Sequence, residues 1–296
     1  MAHCIIKNIL FITVLFLTFA CRNESNSNVT LTEEDTLVNT EEVVAKARSV
    51  FYRMYLPNEM YKVFEKAGAI YSPEILNPVE NVNLYESSTK AALNLGVYGV
   101  DLSYNKIFGQ NQKTLLYFTV IHKLSQQLGI PDNIFSQALK KMEQNLSNRD
   151  SLTEYATDVF SSTHKFLNEN DRKSTAALII AGGWIEALYI ASQISDDDVE
   201  NKEIIERIAF QKYSLRSLMS MLANYQAEPS VNRYYLMFKA LNNAYNEFEI
   251  YYFPDDVSID TINKLINAKK VNIDLPAGKI EKIKKIIAQI RQEITM

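Results

Sequence analysis

Apolar and polar residues along most of this chain follow the three- and four-residue steps of amphipathic helices, and one stretch departs from that pattern. From Ala176 to Ile194 the sequence AALIIAGGWIEALYIASQI carries one charge, Glu186, and no proline. Apolar or small residues cover every side of its helical wheel. A helix apolar all round is either a membrane span or the centre of a helical core. Arg172 and Lys173 before it, Asp196-Asp197-Asp198 after it, and amphipathic helices on both sides predict a core helix. Trp184 and Glu186 sit about 200° apart on it. Trp184 is therefore expected among rings and aliphatics with its indole N–H on an acceptor, and Glu186 on the other side, towards a cleft or a polar partner.

The remaining elements follow from spacing and punctuation. Val43, Ala47, Val50, Phe51 and Met54 share one face of a helix over 33–55, and Pro57 opens a short helix ending at Gly68. Asn77-Pro78-Val79-Glu80 combines an Asn cap, Pro at N1 and Glu at N3, and predicts a long helix to about Phe108, closed by Gly109. A helix to Leu128 follows, ended by Gly129 and Pro131, then Asp132–Leu146 and Leu152–Leu167, the latter behind the capping box Ser151-Leu152-Thr153-Glu154. Asp171 reads as the cap of the central helix, and Asp196–Asp198 as favourable charges at the start of the next. Helices over about 199–224, 230–252, 257–268 and 278–294 complete the pattern. No strand-period run exceeds a few residues, and the loops are short. The expected fold is all-α, a compact multi-helix domain of about ten mostly antiparallel helices around 176–194.

Two helices invite closer reading. Leu93, Gly96, Val100, Ser103 and Ile107 form one packed seam, with Ala92, Leu95, Gly99 and Leu102 beside it. Glycine weakens a helix, so Gly96 and Gly99 on the apolar side point to a close crossing, as do Gly182 and Gly183. These two helices are expected to pack on each other or on a common partner. Lys90, Asn94, Asp101 and Asn105 fall on the opposite side and read as a solvated stripe. In 278–294, Ile280, Ile283, Ile286, Ile287, Ile290 and Ile294 share a face, while Lys279, Lys282, Lys284, Lys285 and Arg291 dominate elsewhere. That helix is expected to close the domain, with a membrane-surface role as the alternative.

Residues 1–20 read as a signal peptide: Lys7, then the apolar run Ile9–Phe19. Thr18-Phe19-Ala20-Cys21 resembles the bacterial lipobox, in which a small residue precedes a cysteine that becomes the lipidated first residue. An ordinary cleaved signal or an uncleaved anchor is the competing reading. Of the two cysteines, Cys4 leaves with the leader, so the mature chain keeps Cys21 alone, without a disulfide framework, zinc cluster or catalytic thiol. Acyl chains gain about 0.8 kcal/mol per buried methylene, and two or more make a lasting anchor. Arg22–Thr32 is polar and aperiodic, a flexible tether. The predicted organisation is leader 1–20, lipidated cysteine and tether 21–34, and one α-helical domain 35–296.

Composition adds limits. With 296 residues, 47% of them hydrophobic, the chain has material for a substantial core, rich in rings with 17 Tyr and 14 Phe against one Trp. A net charge of −4 without a basic block gives no footprint for nucleic acid.

Three segments carry a resemblance: Asn77-Pro78-Val79-Glu80-Asn81-Val82, the run Ala92–Tyr104 (ALNLGVYGVDLSY), and Gly182-Gly183-Trp184-Ile185-Glu186. In these the chain resembles a family of uncharacterised all-helical lipoproteins of Gram-negative bacteria. The resemblance implies a lipoprotein and an all-α fold, and it brings no catalytic residue with it.

Candidate chemistry is sparse. A phosphate-cradling glycine loop and the G-x-S-x-G elbow are both missing from the sequence. His122 and His164 have no second ligand at metal spacing, and the contiguous Asp196–Asp198 lack the alternation of a calcium loop. No metal or cofactor is expected. Asp101 and Glu186 are the carboxylates of interest. Glu186 lies one turn from Gly182, Gly183, Tyr189 and Ile190, and unpaired burial costs several kcal/mol, so it must reach a partner, water or a cleft. The chain is expected to be a non-enzymatic, lipid-anchored scaffold or interaction module of the outer membrane, bound to the membrane through its lipid and engaging an envelope protein. The alternative is a small-molecule or glycan-binding lipoprotein with a cleft lined by Tyr98, Asp101, Tyr104, Glu186 and Tyr189.

Overall fold

A computed structural model describes Phe64 and residues 68–144, 149–194, 202–252, 257–260, 265–268, 271–274 and 277–296. The expected leader (1–20), Cys21, the expected tether and helix over 33–55, the start of the helix expected from Pro57, and Asp196–Asp198 lie outside the described residues. Those described belong to one compact unit, Asn39–Met296. Its helices are α1 (Ser88–Ile107), α2 (Asn111–Gln127), α3 (Asp132–Gln144), α4 (Arg149–Glu169), α5 (Lys173–Ile194), α6 (Lys202–Ala223), α7 (Pro229–Tyr245) and α8 (Ala277–Thr295). Short 3-10 turns at Pro73–Ile75 and Val79–Leu84 precede α1, and four strands of four residues separate α7 from α8. The fold is an all-α multi-helix domain.

By length and composition α5 could cross a membrane, yet 78% of its most apolar window is buried inside the fold. Trp184 is 1% exposed, donates to Ser214 Oγ on α6 at 3.0 Å and meets Phe238 of α7 edge-on. Glu186 faces the other way, towards α1 and α8. The central helix therefore packs on all sides, as its unbroken apolar character requires.

α1 lies against α5 at backbone contact. A Cβ on Gly96 would fall 2.0 Å from the Ile179 carbonyl oxygen, and one on Gly182 would fall 1.9 Å from that of Leu93. Only glycine permits this approach. Gly99 is different: a Cβ there would meet nothing within 4 Å, so it takes no part in the crossing.

The helix ends follow local rules. Gly109 and Gly129, with φ of 68° and 62°, close α1 and α2 in Schellman turns, in which Gln110 N–H donates to Asn105 O and Ile130 N–H to Ser125 O. Asp171 corrects an expectation. With φ of 55° it ends α4 in the same manner, Arg172 N–H donating to Leu167 O, and α5 begins two residues later. Aspartate is among the few non-glycine residues that enter this region readily.

Two further expectations are corrected. The long helix from Asn77 is broken: Val79–Leu84 is 3-10, and α1 starts at Ser88, where Ser87 accepts from Lys90 N–H. Asn77 caps nothing; its side chain turns inward to Tyr85 and Asn94. The helix expected over 257–268 is a pair of strands, β2 (Val257–Asp260) and β3 (Leu265–Ala268), antiparallel with Ile259 opposite Ile266. It is framed in sequence by β1 (Glu249–Tyr252) and β4 (Val271–Asp274), also antiparallel, with Ile250 opposite Ile273. The strict apolar–polar alternation of Val257-Ser258-Ile259-Asp260 and Val271-Asn272-Ile273-Asp274 is the strand signal. β1 also takes the end of the helix expected over 230–252, since α7 stops at Tyr245.

α8 closes the domain. Ile280, Ile283, Ile287, Ile290 and Ile294 are buried, while Lys279 and Lys282 on its outer side both pair with Glu247.

Candidate functional site

Three helices each send one charged side chain to a common point: Asp101 from α1, Glu186 from α5 and Arg291 from α8. Arg291 Nε donates to Glu186 Oε2 at 3.0 Å and Nη2 to Oε1 at 3.1 Å, a bidentate pair. Nη2 also donates to the Ile75 carbonyl at 3.3 Å, and the guanidinium lies over the Tyr189 ring, 4.5 Å from its centroid. Asp101 and Glu186 are both 0% exposed. Asn77 N–H donates to Asp101 Oδ2 at 3.2 Å. Asp101 Oδ1 meets no N–H or hydroxyl donor among the described residues.

Electrostatics follow from this geometry. Burial pushes the Asp101 carboxyl well above its usual range; the Glu186 charge raises it further and Arg291 opposes. Burial also raises Glu186, against the pull of Arg291. The Arg291 guanidinium, which burial alone would weaken, is held above its ordinary value by Glu186 and Asp101. Tyr85, Tyr98 and Tyr117 border the cluster, and burial raises each of them, so they remain neutral phenols.

The stripe of α1 expected to be solvated is largely dry, Asn94, Asp101 and Asn105 being buried and Lys90 half-buried, which corrects the sequence expectation. Lys90 Nζ donates to the Glu293 and Ile294 carbonyls, Asn94 Nδ2 to Ile294 O at 2.9 Å, and Tyr85 OH to Thr295 O at 3.1 Å. The last carbonyls of a helix lack intrahelical donors. Here α1 and Tyr85 supply them, and the Lys90 ammonium suits the negative end of the α8 dipole. Asn105 Oδ1 accepts from Tyr71 OH at 2.7 Å.

The candidate tyrosines divide. Tyr98 is 0% exposed, donates to Pro78 O at 2.8 Å and meets Tyr117 edge-on. Tyr104 lies in a separate ring cluster with Tyr71 and Phe108, its hydroxyl accepting from Ser72 N–H. Tyr189 alone shares the cluster of Arg291 and is half-buried. The structure thus brings Asp101, Glu186 and Tyr189 together with Arg291, and it seals both acids in the core where an open cleft was the alternative expectation. Arg291 was missed as a partner. Its only sequence signal is its place one turn from both Ile287 and Ile294, on the border of the apolar face.

Elsewhere, His122 Nε2 lies 2.5 Å from Asp132 Oδ1 with its ring stacked on Phe135. Among the described residues no group of three His, Cys, Asp or Glu side chains is placed to hold a metal ion. Compared with protein-family models, curated proteins and solved structures, the chain matches none.

Proposed function

We propose that this chain is a lipid-anchored helical protein of the Gram-negative cell envelope, held in the outer membrane through Cys21. It serves there as a scaffold or interaction module and not as an enzyme. The anchor rests on the leader, the Thr18-Phe19-Ala20-Cys21 junction and the polar tether after it. One observation supports the non-enzymatic side: Asp101 and Glu186, the carboxylates best suited to acid–base work, are 0% exposed, Asp101 accepting from Asn77 N–H and Glu186 held by both arms of Arg291. A general acid or base must come within hydrogen-bond reach of its substrate. Tyr98 and Tyr104 are likewise committed to protein partners.

Labelling with radioactive palmitate and fractionation test the anchor. The wild-type chain takes up label and sediments with the outer membrane, and Cys21→Ser loses the label and moves to the soluble fraction. A Cys21→Ser protein that stays with the membrane overturns the assignment.

A further inference from the structure

The cluster beneath α8 sets one guanidinium against two carboxyl groups. Asp101 and Glu186 are both 0% exposed, and the Glu186 charge acts on the Asp101 carboxyl. Glu186 receives both arms of Arg291, the arrangement that favours its charged form. Among the described residues Asp101 has the single backbone donor of Asn77 and forms no ion pair of its own, Arg291 being bonded to Glu186. A second charge left unpaired in a core neutralises by taking up a proton. The balance is one guanidinium, one carboxylate and one carboxylic acid.

We propose that Asp101 and Glu186 form a single-proton site, occupied at neutral pH with the proton on Asp101, and that this proton latches α8 onto α1 and α5. When the proton is lost, a second negative charge is buried beside Glu186 and the seat of α8 is weakened. Among the described residues the other groups facing Asp101 supply no competing charge. Tyr85 from the segment before α1, Tyr98 from α1 and Tyr117 from α2 are neutral phenols. Tyr189 of α5 lies under the Arg291 guanidinium. Lys90 is directed to the last turn of α8, where Glu293 and Arg233 are its charged neighbours.

The sign of the pH dependence follows. Asp101 has a folded-state pKa raised above the ordinary value of 3.8, so its contribution is complete below that value and is lost as pH rises through the raised one. Between the two values the folded state holds a proton that the unfolded chain has lost, so unfolding eases by about tenfold per pH unit there and levels off above the raised value. Glu247 works in the opposite sense. Lys279 and Lys282 hold its carboxyl down to about 2, so its contribution is lost only in acid.

Infrared spectroscopy of the full chain reads the proton directly. The wild-type protein should show the carbonyl stretch of a protonated carboxyl at neutral pH, fading as pH rises, and Asp101→Asn should lack it. Unfolding by denaturant should ease with rising pH in the wild type and be flat over the same range in Asp101→Asn. A wild-type spectrum without the protonated-carboxyl band, or the same band or the same pH slope in Asp101→Asn, overturns the proposal. If Asp101→Asn does not fold, the wild-type infrared titration decides alone.

Discussion

At the α1–α5 crossing one methyl group separates a tolerated change from a damaging one. Gly182→Ala would drive a Cβ to 1.9 Å from a backbone oxygen that cannot step aside, so the helices must part. We expect a loss of about 1–3 kcal/mol or more, read from urea unfolding. Gly99→Ala meets nothing within 4 Å and should gain about 0.5–1 kcal/mol by helix propensity. If both alanines behave alike, the crossing is misplaced. Glycines at helical spacing inside apolar rows made this contact legible in the sequence, although Gly99 carries the same signature as Gly96 without the contact. Asp101 shows where legibility ended. Lys90, Asn94, Asp101 and Asn105 have the spacing and polarity of a wet face, and only partners far along the chain, Arg291 and the last carbonyls of α8, reveal a dry one.

α8 is held in three ways: by its isoleucine face, by donors from α1 to its last turn, and by Arg291. Arg291→Met keeps most of the packing but leaves Glu186 buried without its cation. It should cost about 3–5 kcal/mol in chemical denaturation, and the double variant Glu186→Leu/Arg291→Met should recover most of that loss. Equal losses in the single and double variants would show that packing, and not charge pairing, secures the helix. The closing role of α8 was readable from its isoleucine period. The ribbons before it were not, because Val257-Ser258-Ile259-Asp260 offers only four residues of alternation, while Ile259, Ile262 and Ile266 stand at the three- and four-residue steps of a short helix begun after Pro254. Likewise the Asn-Pro-x-Glu signal at Asn77 was locally sound. It lost to the inward turn of Asn77 and Tyr85, whose side chains bond each other and, through Tyr85, the end of α8.

For the molecule as a whole, the decisive assignment is that α5 belongs to a protein core. Its length and hydropathy fit a bilayer equally well, and the two surroundings differ in what its side chains touch. In a core, Trp184 keeps its hydrogen bond to Ser214 and its edge contact with Phe238 in plain buffer. It is the one tryptophan of the chain, so its emission reports this helix alone. The most direct test is acrylamide quenching of Trp184 in residues 22–296, prepared without leader, lipid or detergent. A core position for α5 predicts a dissolved, helical protein whose emission is blue-shifted and poorly quenched. Red-shifted, freely quenched emission, or a protein that enters solution only with detergent, would contradict it.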